Sequence, residues 1–267
     1  MSSEQARTSD TRSAERLQIV GIGVNNLSEA ETLDRVQRLI EAGGPHYAAV
    51  VNAAKVSLAR RDAGLTRILK AADLVTADGM SVVWASRLLG HRLKGRVTGI
   101  DLMCRIVEQA ERLGQSVYFL GASENSVRGA VEYFASKCPG VLVAGYRNGY
   151  FAPDDSAAIA GAIRQSGADI LFVALGSPAQ EIWIDANLAA TGVRFALGVG
   201  GSFDHISGLV KRAPLWMQRA GMEWLFRLCS EPRRLWRRYL VGNSIFLWLV
   251  IKQVLSGDRN KLTATDR

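Results

Sequence analysis

The 267-residue chain carries 33 Lys and Arg against 25 Asp and Glu, a formal net charge of +8. A hydrophobic content of 48% and a charged content of 22% exclude a disordered or fibrous chain and leave room for a sizeable core. The three cysteines, Cys104, Cys138 and Cys229, have neither disulfide nor metal-ligand spacing, which excludes a disulfide scaffold and favours reduced thiols in the cytosol.

The first predicted segment, residues 1–15, is polar and lacks an apolar core, so we expect a disordered start and not a signal peptide. Short apolar runs then alternate with segments of helical period up to about residue 200. The helical segments include Ser28–Ala42, Met80–Leu89, Ile100–Leu113, Asn125–Lys137, Asp155–Ser166 and Pro178–Ala190, and Gly114 and Gly167 fall where a helix should stop. The apolar runs are Leu17–Val24, Tyr47–Asn52, Leu74–Asp78, Ser116–Leu120, Val141–Ala144, Ile170–Leu175 and Phe195–Val199. This alternation predicts an α/β catalytic domain over residues 16–210, a Rossmann-like, largely parallel sheet with helices on both faces.

After Asp204 the alternation ends, and residues 211–267 predict a basic, aromatic helical appendage. This segment has 12 Lys and Arg against 4 Asp and Glu, hence the whole net charge of +8, and four of the six tryptophans. Arginine binds phosphate and tryptophan suits a headgroup boundary, so we expect this segment to contact a membrane and a phosphate-bearing ligand. The apolar run Ile245–Ile251 falls short of the roughly 20 residues that cross a bilayer, and either lies in the interface or packs in the core.

The residues that follow the predicted strands are the first candidates for a site, because a parallel sheet binds its ligand beyond the carboxyl ends of its strands. They are rich in glycine and small polar types, as a nucleotide or phosphate site needs: Asn52, Asp78-Gly79, Gly121, Tyr146–Tyr150, Gly176–Pro178 and Gly198–Asp204.

Two of these strand ends carry specific hypotheses. Asp78 could be a general base at the sheet edge or the N-cap of the next helix, and the residues alone do not decide. Gln180 and Glu181 begin a helix, where they could hydrogen-bond a base or sugar, or simply be solvated polar residues.

A third polar cluster, Arg96, Thr98 and Asp101, could grip a sugar or phosphate or merely cap the helix from Ile100. The isolated histidines show no ligand spacing, so we assign no metal. A dinucleotide fingerprint is missing near the start of the chain, which argues against hydride transfer.

Ten motifs, taken in order, resemble those of the WecG/TagA/CpsF glycosyltransferases, family 26, over about residues 17 to 250. They are Asn52-Ala53, Ala77–Gly79, Arg96–Asp101, Phe119–Gly121, Gly149–Phe151, Gly176–Glu181, Gly198–Asp204, Arg212–Pro214, Glu223–Arg227 and Glu231–Arg234.

The resemblance implies an inverting hexosyltransferase of cell-surface polysaccharide synthesis (exopolysaccharide, O-antigen or teichoic-acid type). Such enzymes move a sugar from a UDP-sugar donor to an undecaprenyl-diphosphate-linked sugar and form a β-linkage, with no cofactor. It further implies a cytoplasmic protein held peripherally at the inner face of the cytoplasmic membrane. By matching motifs, Asp78 becomes the catalytic base. Candidate donor contacts are Asn52, Arg96, Tyr150, Gln180 and Asp204, and candidate contacts to the acceptor diphosphate are Arg227, Arg234 and Arg237.

One departure leaves the donor open. Many family members have a threonine two residues before the asparagine, where this chain has Val50. Glucose, N-acetylmannosamine and its uronic acid all remain candidates for the donor sugar. Val50 favours a role in exopolysaccharide or O-antigen synthesis. The rivals are a nucleotide-sugar-binding protein without activity and, because of the basic tail, a nucleic-acid-binding protein, although no nucleic-acid partner is expected. Apolar residues of the appendage could also pack against a second copy, so a homo-oligomer is left open.

Overall fold

A computed structural model describes residues 16–256, apart from the side chains of residues 219, 234, 238 and 239. The predicted disordered segment 1–15 and the last 11 residues of the predicted appendage, 257–267, lie outside the described residues. The strands are β1 Arg16–Ile19, β2 Ile22–Asn25, β3 His46–Val51, β4 Leu74–Ala77, β5 Ser116–Gly121, β6 Leu142–Arg147, β7 Ile170–Ala174 and β8 Phe195–Gly198.

Helices lie between these strands and directly after β8, and those with a predicted segment begin and end close to it. They are α1 Glu29–Ala42, α2 Ala53–Ala59, α3 Ala63–Ala71, α4 Met80–Leu88, α5 Gly99–Leu113, α6 Glu124–Lys137, α7 Ser156–Ser166, α8 Ala179–Thr191 and α9 Ser202–Ile206. A 3₁₀ turn covers Pro153–Asp155. After the last strand come α10 Leu215–Arg219, α11 Glu223–Ser230, α12 Pro232–Trp236, a π-helical turn Arg237–Val241, and α13 Gly242–Leu255.

Six strands form one sheet in the order β4-β3-β8-β7-β5-β6. The pairs β3–β8, β8–β7, β7–β5 and β5–β6 are parallel, with Phe172 opposite Leu197 and Phe119 opposite Phe172. Parallel strands alternating with helices make a Rossmann-like α/β fold, which confirms the predicted class. The helix ends expected at Gly114 and Gly167 are also confirmed, since both residues adopt the left-handed conformation just after a helix.

The first apolar run differs from the prediction, because Leu17–Val24 does not form a single strand. It folds back as an antiparallel hairpin, β1–β2, in a sheet of its own. The turn residues Val20 and Gly21 both have positive φ, at 54° and 80°, and such a turn matches the twist of a tight hairpin. Periodicity alone does not reveal a turn inside an apolar run.

The chain forms two compact units. Of the described residues, the first unit comprises 16–30, 51–97 and 213–256, and the second comprises 31–50 and 98–212. The last four helices therefore belong with the hairpin and β4. The predicted role of residues 211–267 as an acceptor-binding appendage stays a prediction.

Within the first unit, the last helix is held at both ends. Ser57 Oγ of α2 donates to the Gly242 carbonyl at 3.0 Å. At the other end, Gln253 Oε1 accepts from Val20 N at 2.8 Å, while its Nε2 donates to the Gln18 carbonyl at 3.1 Å. Phe246 and Val250, one helical turn apart, are buried. One stripe of the apolar run Ile245–Ile251 thus packs in the core, and Leu247, Trp248 and Ile251 remain exposed.

The core of the second unit is built around Phe119 on β5. Its ring lies 5.5 to 5.7 Å, centroid to centroid, from the rings of Phe134, Phe172 and Phe203. All four rings are buried, and aromatic contacts of this kind add to the free energy of simple burial. Because Phe203 lies in α9, this cluster fixes the short helix that follows β8.

Candidate active site

Asp78 follows β4 directly, and the backbone on both sides of it is fixed. Its N–H donates to the Val51 carbonyl at 2.9 Å, and Val97 N donates to the Ala77 carbonyl at 2.9 Å. The N-cap of α4 is Gly79, so the N-cap interpretation of Asp78 is wrong. The carboxylate is therefore left for another role, at a half-buried position on the strand end.

Asn52 lies beside this strand end. It is the N-cap of α2, and its Oδ1 accepts from Lys55 N at 3.0 Å. Its Cβ is close to Gly79, because a methyl group built on Gly79 would come within 3.5 Å of it. The structure therefore brings Asn52 and the Asp78-Gly79 turn together, as strand-end logic predicts.

Among the described residues, four charged side chains act on the Asp78 carboxylate. Burial raises the pKa of Asp78 above its ordinary value, and the negative charge of Glu223 raises it further. Arg96, Arg227 and Lys55 oppose this and lower the pKa, but the net direction is upward. A carboxyl whose pKa is raised is a stronger base than an ordinary aspartate, and proton abstraction benefits from such a base.

Arg96 is paired with Glu223, the first residue of α11. Arg96 Nη1 and Glu223 Oε2 are 3.2 Å apart, and only 17% and 20% of the two side chains are exposed. The predicted donor contact therefore makes an internal ion pair. Arg227, one turn further along α11, acts electrostatically on Asp78 as well. Of the predicted site residues, the structure thus brings Asp78, Asn52, Arg96 and Arg227 together in the first unit.

Both polar atoms of the Gln180 side-chain amide, in the second unit, are hydrogen-bonded within the protein. Its Oε1 accepts from Gly200 N at 2.9 Å, and its Nε2 donates to Glu181 Oε1 at 2.8 Å. Both side chains are buried, which excludes the interpretation as solvated polar residues. A methyl group on Gly198 would lie 2.5 Å from Gln180 Nε2, so this contact needs glycine there. Gln180 holds the glycine-rich turn after β8 in place.

Asp204 lies at the start of α9, next to the buried Phe203. Its Oδ1 accepts a hydrogen bond from Ser126 Oγ at 2.6 Å. Ser126 Oγ is also 2.7 Å from Ser123 Oγ, and Ser123 is the N-cap of α6. A carboxylate at a helix N-terminus is favourably placed, so Asp204 is held in one orientation.

Tyr150 follows β6 and is 81% exposed. Its loop is held close to the strand by Gly149, whose N–H donates to the Ala122 carbonyl at 2.8 Å. A methyl group on Gly149 would come within 3.1 Å of Gly121 Cα, so the loop approaches β5 too closely for a side chain. An exposed ring on a fixed loop is suited to stacking on a flat ligand.

Thr98 and Asp101 serve the helix cap. Thr98 Oγ1 accepts from Asp101 N at 3.1 Å and caps α5. Asp101 pairs with both terminal nitrogens of Arg212, at 2.7 and 3.0 Å. The capping interpretation is therefore confirmed for these two residues.

Comparison with known proteins decides the family. The family model "Glycosyl transferase WecG/TagA/CpsF family" matches residues 17–260. The chain belongs to this family.

Two relatives share a name, N-acetylglucosaminyldiphosphoundecaprenol N-acetyl-beta-D-mannosaminyltransferase. The protein from Bacillus spizizenii is 39% identical over 173 residues, which is 65% of this chain and 66% of the relative. The Bacillus subtilis protein is 35% identical over 196 residues, 73% of each chain. This chain thus spans about two thirds to three quarters of their length. A solved structure of an arylmalonate decarboxylase mutant covers 73% of this chain at 14% identity, but its TM-score of 0.25 is too low to bear on function.

The remaining family arginines are less fully placed. Arg237 is exposed in the π-helical turn, and its guanidinium lies 5.3 Å from the centroid of the Trp236 ring. The backbone of Arg234 belongs to α12, but its side chain lies outside the described part of the structure. The roles predicted for both stay predictions. Val50, in place of the family threonine, is buried at the end of β3.

Sequence reasoning missed two groups around Asp78 and one around Asp204. Lys55 follows Asn52 by three residues, and Glu223 begins a recognised family motif, but neither was given a role. Ser126 likewise carried no signal, because its partner Asp204 is 78 residues away. For Glu223 the family motif was a usable signal, whereas Lys55 and Ser126 needed the fold.

Neither a cluster of metal-ligand residues nor a membrane-spanning helix is found among the described residues. Between residues 16 and 256, no group of three or more His, Cys, Asp or Glu lies together as a metal site would need, and the absence of a metal stays a prediction. None of the helices in that range combines the length and hydrophobicity that a bilayer crossing requires.

Proposed function

We propose that this protein is an inverting hexosyltransferase that moves a sugar from a UDP-sugar to an undecaprenyl-diphosphate-linked sugar. The product is a β-linkage in a cell-surface polysaccharide. The observation that carries the proposal is the Asp78 carboxylate, half-buried among three cations with its pKa raised, in a chain of this glycosyltransferase family. The names of the two relatives support the lipid-linked acceptor.

Three sugars are candidates for the group that the donor supplies. The shared name of the relatives favours N-acetylmannosamine as the sugar transferred and an N-acetylglucosaminyl-diphosphoundecaprenol acceptor. Val50 is the reason to keep UDP-glucose and the uronic acid, because a buried valine offers no hydroxyl where many family members have one. Val50 is also the reason to keep exopolysaccharide and O-antigen synthesis as candidate pathways.

Asp78 would act as the single base of one displacement. The acceptor hydroxyl gives its proton to Asp78 as its oxygen attacks the anomeric carbon. The bond from that carbon to UDP breaks, UDP leaves with the electron pair, and the configuration inverts. One base and no covalent intermediate suffice, as in inverting glycosidases.

Tyr150, Asp204 and Gln180 are the candidate donor contacts of the second unit. In the second unit, Tyr150 offers an exposed ring for the uracil, and Asp204 offers a carboxylate for the ribose hydroxyls. Gln180 would contribute by holding the Gly198–Gly200 turn in place, because its Oε1 accepts the Gly200 N–H. Asn52 and Arg96, near Asp78, are the candidate donor contacts of the first unit.

The acceptor diphosphate is assigned to Arg227, Arg234 and Arg237. A guanidinium group can bind two oxygens of one phosphate in a bidentate contact, and such charge-assisted hydrogen bonds are strong and directional. We place the protein peripherally at the inner face of the cytoplasmic membrane, where the exposed apolar residues of α10–α13 would meet the lipid headgroups.

The direct test is a transfer assay. The full-length protein is incubated with UDP-N-acetylmannosamine, UDP-glucose and the uronic acid donor, each with a short-chain lipid-diphosphate-sugar acceptor. We expect one donor to be used and linkage analysis to show a β-bond. Thermal unfolding with added ligands tests the alternatives. A rise in Tm with UDP but no transfer in any combination would indicate a nucleotide-sugar-binding protein. A rise in Tm with an oligonucleotide alone would contradict the proposal.

The role of Asp78 is tested in the same assay. Asp78→Asn keeps the size of the side chain but removes the base, so we expect turnover to fall by about 10²- to 10⁴-fold. The control is Asp154→Asn, which removes an exposed carboxylate in the second unit. Near-normal turnover of the Asp78→Asn variant would show that another group takes the proton.

A further inference from the structure

Glu223 sits where it can decide how strong a base Asp78 is. It begins α11, and its Oε2 is 3.2 Å from Arg96 Nη1. We propose that Glu223 is a positioning residue that holds the Arg96 guanidinium off the Asp78 carboxylate and so keeps Asp78 free to accept a proton. This inference rests on the proposed function of Asp78 and adds a residue to it.

The backbone leaves Arg96 close to Asp78. Val97, the next residue, donates its N–H to Ala77, which immediately precedes Asp78. Arg96 therefore cannot move far from the strand end, and only the direction of its guanidinium is variable. The ion pair with Glu223 is mostly buried, and a buried partner sets that direction more firmly than a solvated one.

The charges that face Asp78 come from three elements. Arg96 precedes α5, Lys55 is on α2, and both Glu223 and Arg227 are on α11. Three of the four are cations, each of which weakens a carboxylate as a base by stabilising its charged form. Glu223 is the one anion among these four, so its removal would leave Arg96 drawn to Asp78.

The alternative is that Glu223 only fastens α11 to the first unit. A purely structural anchor would lower stability and would act on the proton affinity of Asp78 by its own charge alone, to the same extent with and without Arg96. A residue that acts on Asp78 through Arg96 would shift the pH dependence, and this shift would depend on Arg96 being present. The two roles therefore give different results in the same set of variants.

The experiment compares Glu223→Gln with the wild type in the full-length protein. We expect the acidic limb of the kcat/KM profile to move to lower pH, because the loss of the anion and the approach of the freed Arg96 guanidinium both lower the pKa of Asp78. We expect kcat on the plateau to fall about tenfold with the donor KM within twofold, because a weaker base slows proton transfer without changing donor binding. Glu223→Asp should restore part of both effects. Glu132→Gln, which removes an exposed ion-paired glutamate of the second unit, should leave the profile as in the wild type.

A double-mutant cycle tests the route through Arg96. In an Arg96→Gln background, Glu223→Gln should shift the limb by much less than it does alone. An equal shift in both backgrounds, or no shift in either, would overturn the inference. A second readout is the Asp78 carboxyl resonance of ¹³C-aspartate-labelled protein, assigned by its loss in Asp78→Asn and titrated with pH. This readout separates the two proposals: it decides the role of Glu223 even if no donor is transferred, whereas only the absence of transfer counts against the function.

Discussion

At the scale of single residues, the raised pKa of Asp78 would serve its proposed role as a base but has a cost in stability. Burial and Glu223 raise its pKa, so the folded protein holds the Asp78 proton up to higher pH than the unfolded chain does. The stability associated with that proton is complete at low pH and is lost as pH rises through the folded pKa. Above that point the charged carboxylate is poorly solvated in the fold. Sites built for catalysis commonly show this conflict with stability.

Asp78→Asn should therefore stabilise the protein at pH 8, where the wild type bears the cost of a half-buried charge. A tenfold change in proton affinity corresponds to about 1.4 kcal/mol. Each kcal/mol raises the Tm by about 2–4 °C in a protein of this size class. The gain in Tm should shrink as pH falls, because at low pH the wild-type carboxyl is protonated in both states. Thermal unfolding of both proteins between pH 4 and 8, with Asp154→Asn as control, measures this. A variant less stable than the wild type at pH 8 would contradict it.

At the scale of secondary-structure elements, the ends of the strands depend on glycines that cannot be replaced. Gly121 ends β5 with φ of 123°, a conformation that side chains rarely adopt. A methyl group there would lie 2.5 Å from the carbonyl carbon and oxygen of Ala174 on β7. The neighbouring strand thus occupies the space of the missing side chain.

Gly121→Ala should destabilise the protein by at least about 1–3 kcal/mol, the cost of the strained φ alone, and displace β7 in addition. Gly161→Ala is the matched control. Gly161 lies in α7 with nothing within 4 Å of an added methyl group, so alanine there should raise stability by about 0.5–1 kcal/mol. Denaturant unfolding of the two variants should give changes of opposite sign. A wild-type midpoint for Gly121→Ala would show that β5 and β7 can separate at this point.

At the scale of the whole molecule, the C-terminal helices have two kinds of surface. Leu235, Phe246 and Val250 are buried in the first unit. Trp216 and Trp248, by contrast, are 63% and 59% exposed, and both lie in a segment that carries the entire net charge. Apolar rings beside basic residues suit a headgroup boundary, so the exposed face is our candidate for membrane contact.

Replacing both tryptophans by serine should reduce binding to anionic lipid vesicles severalfold and leave the Tm within a few degrees, because neither ring is buried. Wild-type binding should also weaken between about 50 and 500 mM salt, since salt screens the attraction of surface charges. The control is Leu142→Ser on β6, 53% exposed in the second unit. Vesicle co-sedimentation measures both effects. Unchanged binding of the double variant would assign the membrane contact to another surface.

Much of the fold could be predicted from local sequence patterns. The strand and helix alternation, the stops at Gly114 and Gly167, and the all-helical end needed only periodicity and the conformational freedom of glycine. Asp78 was found as a base candidate because a polar residue that directly follows a buried parallel strand lies at the sheet edge.

Other features depended on contacts between distant residues. The hairpin turn at Val20-Gly21 interrupts an apolar run whose period shows no turn. Whether Asp78 caps its helix was open in the residues and was decided by the backbone, which makes Gly79 the cap. The pairing of Arg96 with Glu223 joins residues 127 positions apart, and no local rule relates them.

Chain order and residue type alone thus determined the fold class, the family and the candidate base, because these depend on neighbours within one or two turns or on motifs in a fixed order. Only the tertiary structure decided which charges surround that base and in which direction its pKa moves. The physical reason is that burial and Coulomb interaction depend on distance in space, and the chain brings Lys55, Arg96, Glu223 and Arg227 together from segments that the sequence keeps far apart.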